Sequence, residues 1–161
     1  MKPTTANPDI ARRRQKVLFL CTGNSCRSQM AEGWARALKG NVIDAYSAGI
    51  EAHGLNPLTV KVMAEAGVDI SWQWSKRVDE VVGVDFDYVV TVCGHSNETC
   101  PVWLRGKAKV VHVGFDDPPA LAKGAKTEEE ALGHYRRVRN EIREFVESLP
   151  HGLTANRSAS E

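Results

Sequence analysis

Two hydrophobic periods alternate along the chain. Short runs rich in strand-forming residues, at 16–20, 42–46, 88–92 and 109–113, read as four β-strands. Elsewhere apolar residues return at helical spacing. Met30, Trp34, Ala37 and Leu38 share one face of a helix over residues 28–38. Leu58, Val62 and Met63 do so over residues 56–66, which stop at Gly67. Leu132, Tyr135, Val138, Ile142, Phe145 and Leu149 line a long amphipathic helix over residues 128–149. Strands alternating with helices predict an α/β fold, a small four-stranded parallel sheet with helices on both faces and right-handed crossovers. Ligands of such sheets bind beyond the carboxyl ends of the strands. The residues after Leu20, Val92 and Val113 are therefore expected on one edge. Residues 1–15, with Pro3, Pro8 and Arg12-Arg13-Arg14, and residues 150–161 lack either period. They read as flexible, solvated tails around a single domain at 16–149.

The bulk numbers narrow the function classes. A length of 161 residues closes one core without staples. The 21 basic and 20 acidic residues leave a formal charge of +1, so global charge holds neither nucleic acid nor a membrane surface. A small anion needs only local positive potential. No apolar run spans a bilayer, and the run after the arginines, residues 17–20, is too short for a signal segment. The chain is expected in the cytoplasm, as a monomer, where thiols stay reduced. Its cysteines, Cys21, Cys26, Cys93 and Cys100, then point to catalysis, redox chemistry or a metal.

Cys21-Thr22-Gly23-Asn24-Ser25-Cys26-Arg27-Ser28 follows the first strand and opens a helix. A loop entering a helix N-terminus presents backbone N–H groups at the positive end of the dipole, and several such groups cradle a tetrahedral anion. Gly23 permits a tight turn, and Arg27 adds a planar two-pronged donor. The same field favours the thiolate of Cys21, below the ordinary thiol pKa of about 8.5. Cys26, inside the loop, reads as a small buried apolar group whose backbone belongs to the cradle. The other chemistry-bearing segments follow the third and fourth strands. Asp116-Asp117-Pro118 offers a carboxylic acid, and splitting an oxyanion requires a proton for the departing oxygen. Turn chemistry explains one of the two aspartates. Cys93 and Cys100 frame Gly94-His95-Ser96-Asn97-Glu98-Thr99. If that stretch is helical, two turns hold the sulfurs roughly 10 Å apart, whereas a disulfide needs Cα atoms within about 7 Å. Joining them requires the segment to loop out.

The loop resembles that of the low-molecular-weight protein tyrosine phosphatases, whose pattern is Cys-x-Gly-Asn-x-Cys-Arg-Ser. It is more similar still to the thioredoxin-coupled arsenate reductases built on the same fold. The likeness runs on through Ser28-Gln29-Met30-Ala31-Glu32-Gly33, where the phosphatases usually carry a proline at the position of Gln29, and through Tyr46-Ser47-Ala48-Gly49-Ile50-Glu51 and His53-Gly54. It covers residues 16–148. The resemblance implies an oxyanion loop at Thr22, Gly23, Asn24, Ser25, Cys26, Arg27 and Ser28. It makes Cys21 the nucleophile and Asp117 the acid. It implies a relay in which Cys93 attacks Cys21, Cys100 attacks Cys93, and thioredoxin reduces the final disulfide, with no bound cofactor. Arsenate would be the substrate, and phosphate or sulfate competing oxyanions. Some relatives hold a potassium ion at positions matching Asn24, Glu32 and Ser47; where they carry an aspartate, this chain has Lys76, either an ammonium replacing the ion or a solvated surface lysine. Two other readings stay open: a phosphotyrosine phosphatase using Cys21, Arg27 and Asp117, and a thiol sensor or metal-binding module around Cys93, His95 and Cys100.

Overall fold

In a computed structural model, which describes residues 13–93 and 108–153, the four apolar runs pair into one parallel sheet. In chain order the elements are β1 (Gln15–Cys21), α1 (Arg27–Lys39), β2 (Ile43–Gly49), α2 (Pro57–Glu65), a 3₁₀ turn (Val78–Val81), β3 (Tyr88–Thr91), β4 (Lys109–His112), α3 (Pro118–Ala122) and α4 (Glu128–Glu147). The strand order is β2-β1-β3-β4. The inner strand β1 is covered on both faces, which explains why its apolar residues run on without alternating. On one face Val17 and Phe19 join Met30, Trp34, Met63, Val138 and Ile142 from the helices. On the other Leu18 and Leu20 meet Val78, Val81, Phe86 and Val89. Burying a large aliphatic side chain in this way contributes about 1.5–3 kcal/mol.

Helix termini carry their own chemistry. Asn56 caps α2 by accepting from the Leu58 and Thr59 amides, and Pro57 fills the first helical position, where no donor is needed. Thr127 caps α4 through the Glu130 amide at 3.0 Å. Helix α1 differs: Cys26 makes no side-chain cap, and the first turn carries no acidic residue. Its orphan N–H groups are left for something else.

The expected elements form with edges moved by a few residues. Strand β2 runs three residues past its expected end, because Ser47, Ala48 and Gly49 pair with Phe19, Leu20 and Cys21. These residues are too small for a hydrophobic pattern to show. The 3₁₀ turn and α3 are too short to display a period. The core reaches beyond residue 149, since Leu153 is fully buried. The arginine run is not wholly a solvated tail either. Arg13 pairs with Asp87 at 3.0 Å, and the Lys16 amide donates to the same carboxylate at 2.8 Å.

At the carboxyl edge, adjacent segments interlock as the topology requires. The Val92 amide donates to Leu20 O (3.0 Å), Val113 to Thr91 O (2.9 Å) and Phe115 to Val92 O (3.1 Å). The ends of β1, β3 and β4 are thereby held side by side.

Candidate active site

The loop between β1 and α1 is turned inside out relative to an ordinary turn. Its carbonyls are occupied from behind. Cys21 O accepts from the Ile50 amide, Thr22 O from Glu51, Gly23 O from His53 and Ser25 O from Asn56, at 2.8–3.2 Å. Cys26 O takes the Met30 amide at 2.9 Å, and Asn24 O takes the Gln29 side chain at 3.1 Å. With the carbonyls turned outward, the N–H groups face the concave side. Those of Thr22 to Ser28 donate to no carbonyl among the described residues. A concavity of this kind, at an uncapped helix N-terminus, binds a tetrahedral anion. Gly49 lets the strip approach closely, because a Cβ there would lie 2.7 Å from Asn24 N and 2.8 Å from Thr22 O.

Asn24 fixes the loop's shape. It is fully buried and holds a left-handed backbone, φ 48°. Its side chain donates to Ser28 Oγ (2.8 Å) and Ser47 Oγ (3.0 Å). It accepts from Gln29 Nε2 (3.0 Å) and the Lys76 amide (2.8 Å). The amide of Gln29 also reaches Trp74 O at 3.0 Å, and Gln29 Oε1 accepts from Gln73 at 2.7 Å. Gln29 thus ties the loop to residues 73–76 through contacts that a proline could not make. Ser28 Oγ lies 2.9 Å from Cys21 Sγ. Asn24 can only donate to that oxygen, which leaves the serine proton free for the sulfur, and with Cys21 ionised Ser28 is the donor of the pair.

Cys21, Gly23, Arg27, His53, Asn56 and Asp117 line a cleft of about 710 Å³ over the loop, with Phe115 on its wall. Arg27 is held by Phe115 O at 2.9 Å, and its Nη2 lies 3.6 Å from Asp117 Oδ1. The two aspartates separate. Asp116 pairs with Arg137 of α4 at 3.0 Å. Asp117 makes no side-chain cap bond to α3 and keeps its carboxylate toward Arg27. Cys26 is buried, and burial pushes its thiol up to about 12, so it is a neutral group at ordinary pH. Cys93 is buried just past β3, beside the end of β1. Cys100, His95 and the rest of residues 94–107 lie outside the described residues.

Glu32, Ser47 and Lys76 gather behind Asn24. Lys76 is not a surface lysine; it is only 7% exposed. Its Nζ donates to Trp74 O at 3.1 Å and stands 4.7 Å above the Trp74 ring. Burial holds its pKa below the usual lysine value, against the pull of Glu32. Its distance to Glu32 is 4.0 Å, and a residue not anticipated from sequence makes the closer pair. Arg36 reaches Glu32 Oε2 at 2.7 Å one helical turn on, and also holds Ala45 O. Ser47 Oγ donates to Glu32 Oε1 at 2.5 Å. The oxygens that would coordinate a potassium ion are thus taken by N–H and O–H donors, with two cations alongside, so the donor set does not fit the ion. His53 and Asn56 on the cleft wall were not anticipated as site residues either; only the Asn-Pro start of α2 hinted at a fixed position for Asn56.

Comparisons with known proteins relate the chain to a family. An arsenate reductase of Bacillus subtilis is 52% identical over 136 residues, covering 82% of this chain and 95% of its own. That of Halalkalibacterium halodurans is 50% identical over 136 residues, covering 84% and 95%. The solved structure of an arsenate reductase in the phosphate-binding state superposes with a TM-score of 0.69 at 33% identity, covering 86% of this chain and 98% of that one. The model for low-molecular-weight phosphotyrosine protein phosphatases matches residues 16–159, so the chain belongs to that family.

Proposed function

We propose that the chain reduces arsenate to arsenite with thiol electrons and stores the oxidation as a disulfide. The observation that carries this reading is the inverted loop, with Cys21 at its base and the Ser28 hydroxyl in hydrogen-bond contact with its sulfur. The high identity to arsenate reductases on the same frame supports it.

The backbone cradle and Arg27 hold the oxyanion over Cys21. The Cys21 thiolate attacks arsenic, an As–O bond breaks, and Asp117 supplies the proton with which that oxygen leaves as water. Cys93 then attacks Cys21 Sγ. The S–As bond breaks with its electron pair moving onto arsenic, which leaves as arsenite, and a Cys21–Cys93 disulfide remains. Adjacent parallel strands lie about 4.8 Å apart, so cysteines at the ends of β1 and β3 are within reach of this step after modest movement. Cys100 attacks Cys93 and releases the Cys21 thiolate. Thioredoxin reduces the Cys93–Cys100 disulfide. The cycle needs no bound cofactor, and a reducing cytoplasm suits it.

The test is arsenate-dependent NADPH consumption with thioredoxin and thioredoxin reductase. Wild type is expected to consume NADPH steadily, Cys93→Ser not at all, and Cys100→Ser to stop after one turnover per enzyme. Steady turnover by Cys100→Ser with thioredoxin alone would defeat the relay. Aryl phosphate cleavage by wild type and Cys93→Ser alike, without NADPH consumption, would assign a phosphatase instead.

A further inference from the structure

His53 stands on the cleft wall, and no step of the relay uses it. Its position is nevertheless built. The His53 amide donates to Gly23 O at 2.9 Å, and the Glu51 amide donates to Thr22 O at 2.8 Å, so both residues are pinned to the loop. Gly54, at φ +91°, turns the chain away immediately afterwards. The imidazole rests on Gly23 itself: a Cβ at that position would lie 2.4 Å from Nδ1 and 2.9 Å from Cγ. The missing side chain of Gly23 is therefore the seat of the ring. The other ring nitrogen, Nε2, meets Glu51 Oε1 at 2.6 Å. Both side chains are more than half exposed, and an ion pair at such exposure adds little to stability. What the contact does is orient the ring. A carboxylate on Nε2 fixes that nitrogen as a donor, and the doubly protonated ring carries its second N–H at Nδ1, on the loop side. The charged and titratable groups around it are Glu51 on its own strip, Cys21 and Arg27 from the loop, and Asp116 and Asp117 across the cleft. Asp116 is engaged by Arg137, and Asp117 faces Arg27.

We infer that His53, positioned by Glu51, is a further oxyanion-binding residue that sets a second positive charge beside Arg27 over the cradle. The inference rests on reading the cleft as an oxyanion site. It assigns Gly23 two tasks, backbone donor below and bare platform above. It also makes anion binding and protonation of one imidazole mutually reinforcing, since each favours the other by linkage.

Sulfate tests this without any redox step, and its charge stays fixed across neutral pH. Binding is measured by calorimetry near pH 6.5, where an ordinary histidine is about half protonated. His53→Ala is expected to weaken sulfate binding about tenfold, the scale of one lost charge-assisted hydrogen bond. The imidazole resonance of His53, identified by its absence from the His53→Ala spectrum, is expected to move toward its protonated position as sulfate saturates wild type. Glu51→Gln separates positioning from bulk charge. Removing a negative charge from the rim would by itself strengthen anion binding, whereas loss of the carboxylate that holds the imidazolium weakens it, and weakening is expected. Equal sulfate affinity in wild type and His53→Ala, with an unmoved imidazole signal, overturns the assignment of His53. Tighter binding by Glu51→Gln overturns the role of Glu51. No sulfate binding by wild type overturns the oxyanion reading itself.

Discussion

Replacing Asn24 by alanine removes the device that shapes the loop, and the structure sets the size of the effect. Four side-chain hydrogen bonds disappear, to Ser28, Ser47, Gln29 and the Lys76 amide, all at 2.8–3.0 Å and buried. At a net value of about 1 kcal/mol each they account for about 4 kcal/mol. Alanine must also hold φ 48°, which costs about 1 kcal/mol more. Water entering the vacated polar space returns part of the loss, so the expected destabilisation is about 3–5 kcal/mol. Glycine at the same position loses the bonds but not the backbone freedom, and should be about 1 kcal/mol less harmful. Urea unfolding of wild type, Asn24→Ala and Asn24→Gly at equal slopes reads these differences directly. Since whole domains are stable by only about 5–15 kcal/mol, both variants should fold but melt early. A loss below about 1 kcal/mol for Asn24→Ala would show that the network does not hold the loop. Identical alanine and glycine variants would show that the left-handed residue is not strained.

Further outcomes follow from other contacts. Ser28→Ala removes the hydroxyl in contact with Cys21 Sγ, and should lower arsenate-dependent turnover about 10- to 100-fold while leaving sulfate affinity within about twofold; an unchanged rate would refute the role. Burial pulls the Asp87 carboxyl up, but Arg13 and the Lys16 amide hold it net below its ordinary value. Its contribution is therefore full above the unfolded pKa of about 3.9 and lost as pH falls through the folded one, so Asp87→Asn should cost about 1–2 kcal/mol at neutral pH and progressively less as the medium is made more acidic than that; a pH-independent deficit would contradict this. Because Arg36 and Lys76 flank Glu32, turnover in potassium and sodium chloride should agree within about twofold, and a several-fold potassium-specific activation would overturn the fit argument.

What the sequence disclosed and what it hid divide along a physical line. The segment from Cys21 to Ser28 is readable because its chemistry is local: a strand, a turn with Gly23, and a helix whose first residues carry the arginine. The long helix α4 is readable because one face repeats over many turns. The partners that hold the site come from far along the chain, and no local pattern announces them. Asp116 and Asp117 look alike in sequence; Arg137, 21 positions on, distinguishes them by engaging one. Lys76 divided evenly between a surface and a buried reading, and only tertiary packing on Trp74 decides it. Arg36 sits on a helix where an arginine usually faces solvent, until β2 brings Ala45 O to it. His53 was illegible for the opposite reason: its seat is an absence, the missing side chain of Gly23 thirty positions earlier.

The outward-facing carbonyls of the loop also bear on selectivity. A cradle made of main-chain N–H groups measures only shape and charge, and phosphate, sulfate and arsenate nearly share both. Occupancy of the cleft is then a matter of abundance, and under the proposed relay discrimination has to come afterwards, when a second thiol attacks the first and the central atom must take up an electron pair. Phosphorus and sulfur in these ions let go unchanged, while arsenic departs in a lower oxidation state. The site is permissive in equilibrium and strict in commitment, so raising its affinity would improve capture of the wrong guests as much as the right one.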